Sequence, residues 1–75
     1  MTLKRALQPM PDAIAAILRE RSLTAAYESR PAYQRNDYLA WIARAKRLDT
    51  REKRLKVMLE ELATGHGYMH MPWGA

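Results

Sequence analysis

Between Tyr38 and Leu62 apolar side chains return at every third or fourth residue, and this spacing commits the middle of the chain to α-helix. Tyr38, Trp41, Ile42, Ala45 and Leu48 follow the i, i+3, i+4, i+7 rule, which predicts a helix over 32–48. Leu55, Met58, Leu59 and Leu62 give a second stripe. Asp49, three residues ahead of Glu52, has the arrangement of a capping box, so the helix carrying that stripe is expected to start at Thr50. Gly65 ends it, because glycine enters the left-handed region without a Cβ clash.

Upstream, Pro11 suits the first position of a helix and Asp12 the positive end of its dipole. Met10, Ile14, Ile17, Leu18 and Arg21 fall on one stripe with Ala13 beside it, and this helix is expected to run to about Arg21. Ser22 then reads as the N-cap of a short helix from Leu23 to about Glu28, with Leu23, Ala26 and Tyr27 facing inward. Pro31 separates it from the next helix. No hairpin dipeptide and no sustained β-branched alternation signals a strand. The expected fold is therefore all-α, a small bundle of three to four helices with an irregular C-terminal tail. Residues 1–10 read as an extended lead-in, since Pro9 and Pro11 disfavour helix before them. Residues 11–65 form the helical domain, and 66–75 the tail, from which Tyr68, Met69 and Trp73 can pack back onto the bundle.

Size and composition narrow the function classes. A chain of 75 residues holds one domain, and at that length folding removes only about 60% of the unfolded surface from water, too little for a deep substrate cavity. There is no cysteine to supply a disulfide or a thiolate site. No apolar run reaches the ~18 residues of a membrane span, and the N-terminus lacks the apolar core of a secretory signal, so the expected location is the cytoplasm. All three glycines lie at or after residue 65, which leaves no phosphate-binding loop in the helical body. The only histidines, His66 and His70, sit in the tail, and no catalytic triad can be argued from them. No catalytic residue, cofactor, metal site or small-molecule substrate is expected, and the chain does not read as an enzyme. The His66, Met69, His70 and Met71 cluster offers soft donors of the copper(I) type, but no thiolate or carboxylate joins it, and methionine is commonly packing material.

The charge is uneven. From Arg44 to Lys56 there are seven basic residues against two acidic ones, which accounts for the whole formal net charge of +5, while the remainder balances at six against six. The candidate binding residues are Arg44, Lys46, Arg47, Lys53, Arg54 and Lys56, a patch that would draw an acidic protein surface or another polyanion. The same residues also serve as a solvated face and complement the negative end of the helix before them. Arg51 stands apart. At 100° per residue it falls about 40° from Leu55, on the edge of the apolar stripe, where a guanidinium needs a partner. An interhelical clamp to Asp37, or to Glu28, is the expectation. A helix-turn-helix reading, with helices three and four on nucleic acid, is also open, although the Leu48-Asp49-Thr50 connector lacks glycine and Asp49 and Glu52 would meet the phosphates.

The run from Tyr38 through Trp41, Ile42, Ala45, Lys46 and Arg47 to Thr50, Arg51 and Arg54 resembles the pattern of the YdeI/OmpD-associated, bacteriocin-protection (OmdA) family, aromatic-x-x-Trp-Ile-x-x-Ala-Lys-Arg-x-x-Thr-Arg-x-x-Arg. The likeness covers roughly residues 10 to 65. In many members the module follows a small β-rich domain, which these residues do not contain. The resemblance implies a non-catalytic interaction role linked to an outer-membrane porin, envelope stress, or resistance to bacteriocins and antimicrobial peptides, with packing and capping duties for the pattern residues other than the exposed basic ones.

Overall fold

The computed structural model describes residues 8–69, which contain four α-helices: α1 (Asp12–Glu20), α2 (Thr24–Glu28), α3 (Ala32–Arg44) and α4 (Leu48–Thr64). Helices α3 and α4 form an antiparallel hairpin joined by residues 45–47, and α1 and α2 fold across it. The all-α bundle expected from the periodicity is the fold observed. At the centre sit Ile14 and Leu18 of α1, Tyr27 of α2, Tyr38, Leu39 and Ile42 of α3, and Met58, Leu59 and Leu62 of α4. Each large apolar side chain so buried contributes on the order of 1.5–3 kcal/mol. Met10, Ile17, Leu23, Ala26, Trp41 and Leu55 pack around them.

The helix boundaries follow local chemistry that periodicity does not resolve. Ser22 is not the N-cap of α2. It lies in the left-handed region (φ 58°) and closes α1, its N–H bonded to the Arg19 carbonyl at 3.1 Å while Leu23 N–H reaches the Leu18 carbonyl at 2.7 Å. That is a Schellman closure with serine where glycine is the usual residue. Helix α3 stops at Arg44, not Leu48, because Ala45 turns to an extended conformation (φ −67°, ψ 124°). Leu48 therefore leaves the apolar stripe and opens α4 with 70% of its surface exposed. Asp49 lies inside α4 and makes no capping box; its Oδ1 accepts the N–H of Thr50 at 2.9 Å.

Gly65 closes α4 in the left-handed conformation (φ 79°), its N–H on the Glu61 carbonyl at 2.9 Å, as the sequence indicates. Gly67 (φ 89°) is fixed sterically as well, since a Cβ there would come within 3.0 Å of the Glu61 carboxylate. The chain then returns over the open end of the hairpin, and Tyr68 and Met69 pack against the core. At the other terminus the Gln8 N–H donates to Asn36 Oδ1 at 2.7 Å, which tethers the lead-in to α3. Trp73, His70 and Met71 lie outside the described residues.

Candidate basic interface

The last carbonyls of any α-helix have no partner inside it. At the end of α3 two arginines from α4 meet that need. Arg54 Nη1 donates to the Trp41 carbonyl at 2.6 Å, and its guanidinium carbon lies 5.2 Å from the centroid of the Trp41 ring. Arg51 Nε donates to the Ala45 carbonyl at 2.7 Å, while the Ala45 N–H takes the Ile42 carbonyl at 3.3 Å. The family-like Trp–x₃–Ala and Arg–x₂–Arg spacings are thus two halves of one cap. A positive charge at a helix C-terminus also meets the negative end of its dipole.

The expected clamp between Arg51 and Asp37 is not formed. Arg51 is spent on the connector backbone, and the Asp37 carboxylate accepts the Tyr68 hydroxyl at 2.6 Å. The physical reason is distance along the hairpin: in an antiparallel pair the start of α4 faces the end of α3, and Asp37 lies two turns further back. Arg54, counted from sequence among the binding residues, is half-buried and held by Trp41. The other five, Arg44, Lys46, Arg47, Lys53 and Lys56, are exposed around the connector. Arg47 Nε lies 3.2 Å from Asp49 Oδ1, with both side chains largely in solvent, so this pair contributes about 0–1 kcal/mol and leaves the cation accessible. Leu48, directly after Arg47 in the chain, is exposed in the same stretch.

The opposite end of the hairpin holds a polar cluster that charge counting does not find. Arg30 is only 4% exposed. Its Nη1 donates to the Gly67 carbonyl at 2.7 Å and to Gln34 Oε1 at 3.2 Å, and its Nη2 to the Glu61 carbonyl at 3.0 Å, so it caps α4 from across the fold. Tyr38, with no exposed surface, donates to Glu61 Oε1, which also accepts the Met69 N–H at 2.8 Å. The Tyr68 ring stands edge-on to Tyr38 at 5.3 Å and to Tyr33 at 6.1 Å. Burial, and then the bond to the Glu61 carboxylate and that carboxylate's charge, push the Tyr38 phenol well above its ordinary 10.0, against the pull of Arg30. The one sequence signal for this cluster is Arg30 directly before Pro31, a basic residue at a helix start where the dipole disfavours it.

Among the described residues no helix is long and apolar enough to cross a membrane, and no group of three or more His, Cys, Asp or Glu side chains is placed to hold a metal ion. No curated protein and no solved structure shows a significant match to the chain. The sequence model of one family, described as bacteriocin-protection, YdeI or OmpD-associated, matches residues 8–65. That span takes in both arginine caps, from Arg30 to Arg54, and the whole hairpin between them; the chain belongs to this family.

Proposed function

We propose that the chain is a non-catalytic interaction module that docks an acidic, amphipathic protein surface through the α3–α4 connector. The observation that carries this reading is Leu48, a large apolar side chain 70% exposed in a segment where Arg44, Lys46, Arg47 and Lys53 are exposed as well. An apolar anchor inside a charged rim is the anatomy of a protein-binding patch, where the anchor contributes affinity and the charges steer approach. A phosphate backbone has no use for that leucine, and Asp49 and Glu52 stand where phosphates would come. The family description links such chains to bacteriocin protection and to OmpD. A protein of charge +5 repels cationic peptides, so any protective role is exerted through a protein partner in the cytoplasm and not by sequestering the peptide.

The test is crosslinking capture from native lysate with wild-type chain, Leu48→Asp, and the double variant Arg47→Glu/Lys53→Glu, alongside gel retardation of duplex DNA at two salt concentrations. A protein band lost with both variants supports the reading. A band indifferent to both, or DNA retarded with a steep salt dependence, overturns it, the latter in favour of nucleic-acid binding by α3 and α4.

A further inference from the structure

Away from the connector, α1, α2 and the start of α3 enclose an open cavity of about 330 Å³, lined by Met10, Leu18, Thr24, Tyr27 and Arg35 among others. Its size lies at the low end of the ~300–1,000 Å³ typical of ligand pockets. Two buried side-chain polar atoms among the described residues have no hydrogen-bond partner, Thr24 Oγ1 and Arg35 Nε, and both belong to residues lining this one cavity. Buried polar atoms left without partners are uncommon in folded proteins, and two on residues that line one cavity mark recognition capacity that the fold itself does not use. No carboxylate among the described residues pairs with Arg35. Its charge opposes the upward push of burial on the phenol of Tyr27, which lines the same cavity. Glu28 and Arg19, both exposed, stand at the rim and offset one another, so the interior cation is unneutralised.

We infer that this cavity is a binding site for a small carboxylate with an apolar body. The body lies against Met10, Leu18 and Tyr27. The carboxylate meets the Arg35 guanidinium, which offers two parallel N–H donors through Nε and an Nη after a modest turn of the side chain, and the Thr24 hydroxyl donates a third bond. A purely apolar ligand would leave both orphaned atoms unsatisfied, and a bare inorganic anion would leave the apolar wall unfilled.

The experiment is a titration of the ¹⁵N-labelled full chain with 4-phenylbutyrate, with 4-phenylbutanol as the uncharged counterpart and butyrate as the counterpart without the ring. The expected result is saturable amide shifts centred on Leu18, Thr24, Tyr27 and Arg35 with phenylbutyrate, and binding weaker by about tenfold or more for each partial ligand, the scale of one lost charged hydrogen bond or one unburied ring. Arg35→Gln lowers phenylbutyrate affinity by a similar factor, and Arg47→Glu leaves it unchanged. The alcohol comparison uses the wild-type chain alone and so holds even where Arg35→Gln does not fold. An absence of saturable shifts (a cavity filled by water only), shifts centred on residues 44–48, phenylbutanol binding as tightly as phenylbutyrate, or an equal loss with Arg47→Glu would each overturn the site. Because the connector plays no part in it, this outcome is separable from that of the capture experiment.

Discussion

The two ends of the α3–α4 hairpin solve the same problem with the same residue and reach opposite results. At each end arginine donates to carbonyls where a helix stops: Arg30 at the end of α4, beside the Gly65 N–H on the same Glu61 oxygen, and Arg51 and Arg54 at the end of α3. At the open end the guanidinium is enclosed by Gln34, Glu61 and the returning Gly67 backbone, and nothing of it is left for a partner. At the connector the two caps sit at the margin of a rim whose remaining cations face water. The difference teaches that a count of basic residues measures neither stability nor binding; what each arginine donates to decides which it serves.

The largest test of this comparison is Arg30→Met. Three charged hydrogen bonds vanish, the Gly67 carbonyl loses its donor and the Glu61 carbonyl keeps only the Gly65 N–H and the Thr64 hydroxyl, for an expected loss of about 3 kcal/mol. For a domain of this size that lowers the melting temperature by roughly 12–24 °C, to be read by far-UV circular dichroism. Arg54→Met removes one bond and one half-buried cation–π contact, and is expected to cost about 1–2 kcal/mol. Should Arg54→Met prove the more damaging of the two, the contrast between a buried and a marginal cap is wrong.

Tyr38→Phe sharpens the same contrast through pH. Deleting the hydroxyl leaves Glu61 Oε1 still bonded to the Met69 N–H, so near neutrality the cost is about 1 kcal/mol. The folded-state phenol titrates above its unfolded value of 10.0, so its contribution is intact below that pH and is lost as pH rises beyond it toward the folded value. Tyr27, raised for the same main reason, adds to the loss. Urea unfolding at pH 8 and pH 11 should show the wild type losing more stability than Tyr38→Phe between the two, so that the variants converge. An unchanged gap at both values would mean that Tyr38 is not the group that burial and Glu61 hold protonated.

The helical class and the apolar stripe of α4 were legible because both rest on spacing, which a sequence carries directly. Met58, Leu59 and Leu62 are buried where the period puts them. What was not legible depends on where helices stop. Leu48 fits the period of α3 as well as Ala45 does, and only the extended turn of Ala45, held by Arg51 from the next helix, separates them. Ser22 has the chemistry of an N-cap and the geometry of a C-terminal closure, because serine tolerates the left-handed region at a cost the Leu23–Leu18 bond offsets. Of the candidate site, charge density located the connector but could not show that Arg54 was already committed to Trp41. Arg30 and Glu61 stayed hidden for a simpler reason, since a contact spanning 31 residues leaves no local pattern.

The smallest expected effect is also the one that most sharpens the comparison. Leu48→Ser deletes an apolar side chain, and in the core such a change would cost several kcal/mol. At 70% exposure Leu48 has little burial to lose, so the expected change in stability is within about 0.5 kcal/mol. Arg47→Ala, which breaks only the solvent-exposed pair with Asp49, falls in the same range. Two melts superimposing on the wild type, from variants that both weaken partner capture, would establish that the connector end is kept for binding and contributes almost nothing to the fold. A drop of 2 kcal/mol or more in either would show instead that the connector is held together by these side chains, and the functional contrast between the two ends of the hairpin would disappear.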